Sequence, residues 1–591
     1  MPVAAVVMTV GLVVITVLIA MYSRHFNRTS AEFYLAGRQI GYVVNAGAIC
    51  GDYFSVASFL GVAAAIYAGG LDGAWFGAGF GAGFVPVVLF FASPLRRFGE
   101  YTLPDFLTAR FQSSGVRIMS VLMVQLICLL YLTPQMLVVG QMWEMLVGRG
   151  FAGLSAYVTG VTLTTVLMLF FSALGGMRGT TWNQMVQFTV LFLAMAAVVF
   201  LGLLYAAEYR RAVSLVGQET LVAPVVLPVK DLAATGAQAF MSDHYWRTEI
   251  EPHMADPETQ VTVLLPVTSK LTGRSMRFGE PGGRYNWLDQ FSVVLTLIMG
   301  TSSLPHIMNR FYTNRSGAGA RITTVYVLVF VAAFYVLAAV AGVLGRALIP
   351  ELSPGRETGA FIGQVVDGIL ANPDAVMPFL AQSMGGNFGL GLVAVGAFAA
   401  AFSTMGGLLI ASAASWGHDL YEKYIDPGCS ERRKVAVGRA AVVLMAALGM
   451  ALSLGLPSLE LNRAYPALIA LMVTWALAVA GGGFFPVLFM GIWWRRTTTR
   501  AALAGMVVGG GGSVVLIVAN VLHSTWAEAP GGLHALGALT FPAIVTAPAA
   551  FAVMYAISLL DRHNLPANID AIWARIHGTA SERAARLHPS D

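Results

Sequence analysis

The chain has 591 residues, of which 57% are hydrophobic and only 11% charged, with a formal net charge of +5. A soluble globular domain is about a quarter charged, so this charge is too sparse to clothe a water-soluble surface, and the small positive excess reads as loop charge with no nucleic-acid partner implied. Cys50, Cys128 and Cys429 show no CxxC or other metal spacing, so no disulfide framework follows.

Apolar runs long enough to cross a hydrocarbon core of roughly 30 Å as helices recur from one end to the other. They fall near residues 3–22, 41–68, 73–92, 117–146, 151–173, 183–207, 287–308, 321–348, 386–416, 436–458, 463–492, 499–523 and 536–560. The pattern predicts an all-α membrane protein of about thirteen spans. The first run has no basic region before it and carries Arg24 and Arg28 after it, the reverse of a signal peptide. It reads as a retained span with the N-terminus outside.

Short cytoplasmic loops are enriched in Lys and Arg, which tests the topology independently. Odd-numbered loops hold Arg24, Arg28, Arg38, Arg96, Arg97, Arg110, Arg178, Arg310, Arg315, Lys423, Arg432, Arg433, Lys434, Arg495, Arg496 and Arg500; short even-numbered loops hold Arg149 and Arg356. This asymmetry predicts a cytoplasmic C-terminus in a multi-pass protein of the plasma (inner) membrane. The polar stretch 208–286 falls outside, as a small subdomain, a docking place for a small partner subunit, or a disordered segment. Residues 561–591 form a short cytoplasmic tail, too short for a kinase.

Solute sites in carriers lie at mid-membrane where helices unwind, and polar, Gly- or Pro-interrupted spans point to them. The second span, NAGAICGDYFSVASFLG, carries Asp52, Ser55 and Ser58 among glycines. The seventh, MGTSSLPHIMNRF, carries Thr301, Ser302, Ser303 and His306 around Pro305. These two are five spans apart, the spacing of two five-helix repeats of opposite orientation, each opening on a broken helix. In the fourth span, Tyr131, Thr133 and Gln135 flank Pro134 as cavity-lining candidates. The adjacent hydroxyls of Ser403 and Thr404 in the ninth span are hard oxygen ligands suited to a small monovalent cation. Asp52, expensive within a bilayer, is a proton or sodium carboxylate or a hydrogen-bonded structural one; His306 is a titrating group or a satisfied hydrogen-bonding residue.

The run GAGFGAGF misses the spacing and context of a dinucleotide fingerprint, and GGGG from Gly509 reads as close helix packing. No Ser/His/Asp or metal arrangement supports an enzyme.

The stretches EFYLAGRQIG leading into GDYFSVASFLG, YTLPDFLTARF, GGMRGTTWNQMVQ, GTSSLPHIMNRFYT and AFSTMGG ending at SWGHDLY follow one another between Glu32 and Arg500. Taken together, they resemble the sodium:solute symporter family, and within it the acetate and monocarboxylate permeases. The resemblance implies a LeuT-like fold: an extra helix at 1–22, a first inverted repeat at 41–207, a second at 287–492, and two further helices within 499–560. It also implies a sodium site (Na+) built from the carbonyls of Gly51, Phe54 and Ala400 with the side chains of Ser403 and Thr404. Candidates for the solute are Ser55, Ser58, Gln135, Thr301, Ser302, Ser303 and His306. The expected activity is sodium-coupled symport of a small carboxylate such as acetate across the lipid bilayer by alternating access. A proton-coupled carrier and a membrane solute sensor of the same fold are the alternatives.

Overall fold

A computed structural model of the chain describes residues 3–23, 25, 32, 36, 40–99, 101–206, 209–269, 272–280, 286–353, 364–459, 465, 467–525, 536–537 and 539–578. Arg24, Arg28, Arg38 and Arg356, part of the EFYLAGRQIG stretch and the end of the tail lie outside them. The protein is mostly helical. By length and composition, ten helices among the described residues can cross a membrane, or eleven if the bent pair Trp287–Thr301 and Pro305–Phe311, inclined by 43°, is one span.

Helix α1 (Val3–Ser23) is followed by α2 (Tyr42–Tyr53), a break, a π turn (Ala57–Gly61), α3 (Val62–Gly69) and α4 (Ala74–Ala82). Gly70, at φ 63°, turns the chain back. In the return leg a Cβ on Gly73 would strike Ala65, and one on Gly77 would touch Val62 at 3.7 Å, the pairing of an antiparallel helical hairpin. The run 57–98 is thus apolar without interruption yet folded back on itself. Here the sequence reading of thirteen spans and the plain count of long helices part. They part again at Ala156–Ser172, too short to be counted as a full crossing.

Further along come α5 (Leu103–Phe111), α6 (Ser114–Val147) and α7 (Ala156–Tyr205), the last divided by a non-helical Gly176. Their starts are set by side-chain caps that satisfy orphan backbone donors: Thr102 accepts from Asp105 N at 3.1 Å, Ser113 from Val116 N at 3.4 Å and Ser155 from Val158 N at 3.2 Å. After the insertion follow α9 (Trp287–Thr301) and α10 (Pro305–Phe311), then α11 (Gly317–Leu352), α12 (Val376–Ala414, kinked at Gly386), α13 (Glu431–Gly455) and α14 (Leu468–Gly483). The apolar window of the span containing α12 is 100% buried and that containing α14 94% buried, against 22% for α1. The core therefore lies around α12 and α14, with α1 on the rim facing lipid.

Residues 209–280, where described, form a folded unit. Helix α8 (Tyr209–Gly217) leads to an antiparallel pair, β1 (Val222–Pro228) and β2 (Gln260–Pro266), in register from Val222 opposite Pro266 to Pro228 opposite Gln260. Leu232, Ala237, Ile250, Val261 and Val263 make a small core of its own. Leu264 packs on Val366 and Ile369 of a second hairpin, β3 (Val365–Val366) and β4 (Ile369–Leu370). That hairpin turns through Asp367 and Gly368 at φ 45° and 82°, the left-handed pair that a two-residue turn requires. The Asp367 carboxylate accepts from the Ser242 hydroxyl at 2.7 Å. Leu71 N–H donates to Phe278 O at 3.1 Å and Leu370 N–H to the Tyr67 hydroxyl at 2.9 Å. The unit is thereby stitched to both the α3–α4 turn and the 365–370 hairpin.

Candidate functional site

The second span breaks at Phe54. Its φ of −74° and ψ of 75°, with Ser55 N–H donating to Tyr53 O at 2.8 Å, form an inverse γ-turn. Because Ser55 N–H bonds two residues back, the Gly51 carbonyl loses its helical i+4 donor. The next donor, Val56 N–H, is taken by Gln135 Oε1 at 3.2 Å, while Gln135 Nε2 donates to Tyr131 O at 3.3 Å. Gln135 therefore secures the restarted helix.

The sodium candidates converge on this break. Thr404 Oγ1 donates to Asp52 O at 2.9 Å and Ser403 Oγ to Ala400 O at 3.0 Å. Gly51, Phe54, Ala400, Ser403 and Thr404 are all fully enclosed. These are neutral oxygens at an unwound helix end beside a packed helix, the donor set that suits a monovalent hard cation. The close approach depends on glycine: a Cβ at Gly51 would run into the Gln184 carbonyl, and one at Gly407 into the Asp52 carboxylate.

The Asp52 side chain pairs with Arg310, whose Nε lies 3.3 Å from Asp52 Oδ2, both side chains being buried. Arg310 also donates to Thr181 Oγ1 at 2.7 Å and to Gln184 Oε1. Gln184 Nε2 in turn donates to Ser403 O at 2.8 Å. The sequence placed Arg310 among loop charges, and neither it nor Gln184 or Thr181 was named for the site. Arg310 is in fact 1% exposed. The available signals were its position four residues after His306 on the restarted seventh span and the stretches GTSSLPHIMNRFYT and GGMRGTTWNQMVQ, which hold all three residues.

The solute candidates divide. Ser55 lies in the break and His306 begins α10; the His306 ring meets the Tyr131 ring edge-on at 5.5 Å between centroids. The Ser55 and Tyr131 hydroxyls and both His306 ring nitrogens are buried without a hydrogen-bond partner among the described residues. The others are occupied. Ser58 Oγ bonds the Tyr335 hydroxyl at 2.8 Å, Thr301 Oγ1 the Tyr53 hydroxyl at 2.7 Å, and Ser302 and Ser303 donate back to Ile298 O at 2.6 Å and Met299 O at 2.7 Å. Such back-bonding terminates a helix in apolar surroundings, and here it closes α9.

A second polar cluster sits at the end of the bundle opposite the insertion. Asp105 accepts from Arg117 Nη1 at 2.8 Å and lies 2.7 Å from His418 Nε2. Asp419 accepts from Thr102 Oγ1 at 2.8 and 2.9 Å, and Arg117 Nη1 lies 3.4 Å from it. Glu422 lies 2.7 Å from His418 Nδ1 and 3.1 Å from Lys434 Nζ. Although burial opposes it, the His418 ring and the Arg117 guanidinium hold the Asp105 carboxyl below its usual range. Asp105, His418 and Asp419 have metal-ligand spacing, but their donor atoms are already engaged by these partners.

The model of the sodium:solute symporter family matches residues 33–509. A monocarboxylic acid transporter of Corynebacterium glutamicum is 28% identical over 97% of this chain and 94% of its own. An uncharacterized symporter of Bacillus subtilis, YwcA, is 27% identical over 93% of each. Among solved structures, a substrate-bound, outward-open Na+-coupled sialic acid symporter aligns with a TM-score of 0.62 at 15% identity, covering 94% of this chain and 98% of that one. The nucleobase-cation-symport-1 transporter Mhp1, closed with bromovinylhydantoin bound, aligns with a TM-score of 0.50 at 13% identity, covering 93% and 99%. The LeuT-like fold expected from the sequence is the fold found. With its family model spanning most of its length and its apolar helices suited to a bilayer, the chain belongs to the sodium:solute symporter family, a multi-pass secondary symporter and not an enzyme.

Proposed function

We propose that the protein carries a small monocarboxylate such as acetate together with sodium, by alternating access around the breaks at Phe54 and at 302–304. The observation that carries this reading is the set of unpartnered groups on Ser55, Tyr131 and His306. A buried polar atom without a partner costs about 1–3 kcal/mol, so four of them meeting between two broken helices call for an occupant that hydrogen-bonds. Neutral donors in an otherwise aromatic and aliphatic setting suit a compact anion with little apolar bulk. The monocarboxylic acid transporter among the relatives supports the same class.

Sodium would sit between Gly51, Phe54, Ala400, Ser403 and Thr404, taking the Gly51 carbonyl freed by the γ-turn and holding span two in its broken form. The N-terminus and the 209–280 unit face outward in this reading and the C-terminus faces the cytoplasm, as the basic residues of the alternate loops support. One sodium carried with one monovalent anion moves no net charge. The driving force is then the sodium gradient, about 1.4 kcal/mol per tenfold. Labelled acetate uptake into proteoliposomes tests this, with inward sodium and inward proton gradients imposed separately. Uptake above the gradient-free control with sodium alone is the expected result. Stimulation by protons alone would overturn the sodium site, and silence under both would overturn the substrate class.

A further inference from the structure

We infer that α10 is the mechanical link between the solute and sodium sites, with Arg310 as the positioning residue that grips the sodium site from the solute side. His306 and Arg310 stand four residues apart on this one short helix and so share a face. The first faces Tyr131 at the unpartnered cluster. The second spreads its three nitrogens over Asp52, Thr181 and Gln184.

Both arms of that grip reach residues next to or within the sodium set, one step short of its ligand atoms. Through Asp52, Arg310 fixes the last turn of α2, whose Asp52 carbonyl receives the Thr404 hydroxyl. Through Gln184, whose amide oxygen it holds, Arg310 fixes which way the amide faces, and the amide nitrogen then donates to the Ser403 carbonyl. Arg310 O is in turn held by Asn45 Nδ2 at 3.3 Å, tying α10 to the same helix a second time. A planar guanidinium reaches three separated partners from a rigid fork, whereas an ammonium offers its three donors from a single nitrogen. When solute draws on His306, α10 moves as a unit, and the sodium frame follows through Arg310. This is the physical content of coupling: each ligand biases an element that the other also contacts.

The inference rests on the two sites proposed above, so its test reads them separately. Sodium binding is measured on purified protein by sodium-induced thermal stabilisation, without solute. Acetate binding is measured by equilibrium dialysis of labelled acetate at zero and saturating sodium, which yields a coupling factor. Arg310→Gln is expected to lower the wild-type coupling factor to near one and to raise the sodium concentration for half-stabilisation by about tenfold or more. Its acetate affinity without sodium should stay within about twofold of wild type. Arg310→Lys should fall between. Because Arg310→Gln leaves Asp52 buried and unpaired, the double variant Asp52→Asn with Arg310→Gln removes both charges and is expected to fold and remain uncoupled.

A folded variant that keeps the wild-type factor overturns the inference, while wild-type sodium dependence leaves the proposed function standing. Loss of acetate binding at every sodium concentration also overturns it, by making Arg310 a solute contact. A wild type indifferent to sodium in both measurements overturns the sodium reading and this inference together. Acetate binding that is absent while sodium stabilisation is intact overturns only the substrate class, and the sodium shift of Arg310→Gln still decides the role of Arg310.

Discussion

Two polar clusters enclosed among the described residues are finished to different degrees. At the end of the bundle opposite the insertion, Asp105, Arg117, His418, Asp419, Glu422 and Lys434 satisfy one another. At the centre, Asp52 and Arg310 are paired, yet Ser55, Tyr131 and His306 are left with bonding capacity and no partner. A closed network holds helices in place, whereas an open one reserves bonds for something that arrives and leaves. The contrast separates structural charge from transport chemistry more sharply than burial alone.

Five variants can break or sharpen it. The largest effect is expected from Arg117→Ala at the closed cluster, which strands Asp105 and Asp419 without their shared cation. Breaking a buried pair in this way costs about 3–5 kcal/mol, to be read as a large fall in unfolding temperature in detergent. An unchanged unfolding temperature would mean that the cluster does not hold the helices. Next, Ser403→Ala with Thr404→Ala should raise the sodium concentration for half-maximal uptake by about tenfold, equivalent to about 1.4 kcal/mol. Sodium dependence identical to wild type in that double variant would remove these hydroxyls from the site.

Smaller effects belong to the open groups. Tyr131→Phe and His306→Phe should raise half-saturating acetate by about fivefold, while unfolding free energy changes by about 1 kcal/mol or less, since the buried rings are kept and no existing hydrogen bond is lost. A marked loss of stability with unaltered acetate saturation would place both residues in the structural class. A shift of similar size is expected from Gln135→Ala, which uncaps the restarted helix at Val56 and costs about 1 kcal/mol; thermal unfolding measures it directly.

What was legible in the sequence follows the same divide. Helix breaks announce themselves through Gly51, Pro305 and the hydroxyls beside them, because unwinding needs residues that tolerate it. The Ser403–Thr404 pair stands out as adjacent hydroxyls in a fully apolar span. Partnerships are another matter. Arg310 reads as loop charge because it follows a hydrophobic run, and only the short α10 carries it back inside to meet Asp52, 258 residues earlier in the chain. Arg110 does lie between two spans, but it is no solvated loop charge: it is 0% exposed and donates to Gly491 O at 2.7 Å. Ser302 and Ser303 show the converse, polar residues at a break whose bonds are spent on their own helix. The 209–280 unit is open among three readings because its short strands and helical turns carry little periodicity, and its small core takes single residues from several short elements between Leu232 and Val263.

The stitching of that unit gives the face of the carrier that bears it a seam. Where Ser242 meets Asp367 and Phe278 meets Leu71, parts of four separate chain segments are laid edge to edge well away from Ser55 and His306. A binder wedged along it, an antibody fragment for instance, would act as a splint. Inhibition of that kind would depress maximal velocity and leave half-saturation by solute untouched, so no amount of added acetate would relieve it.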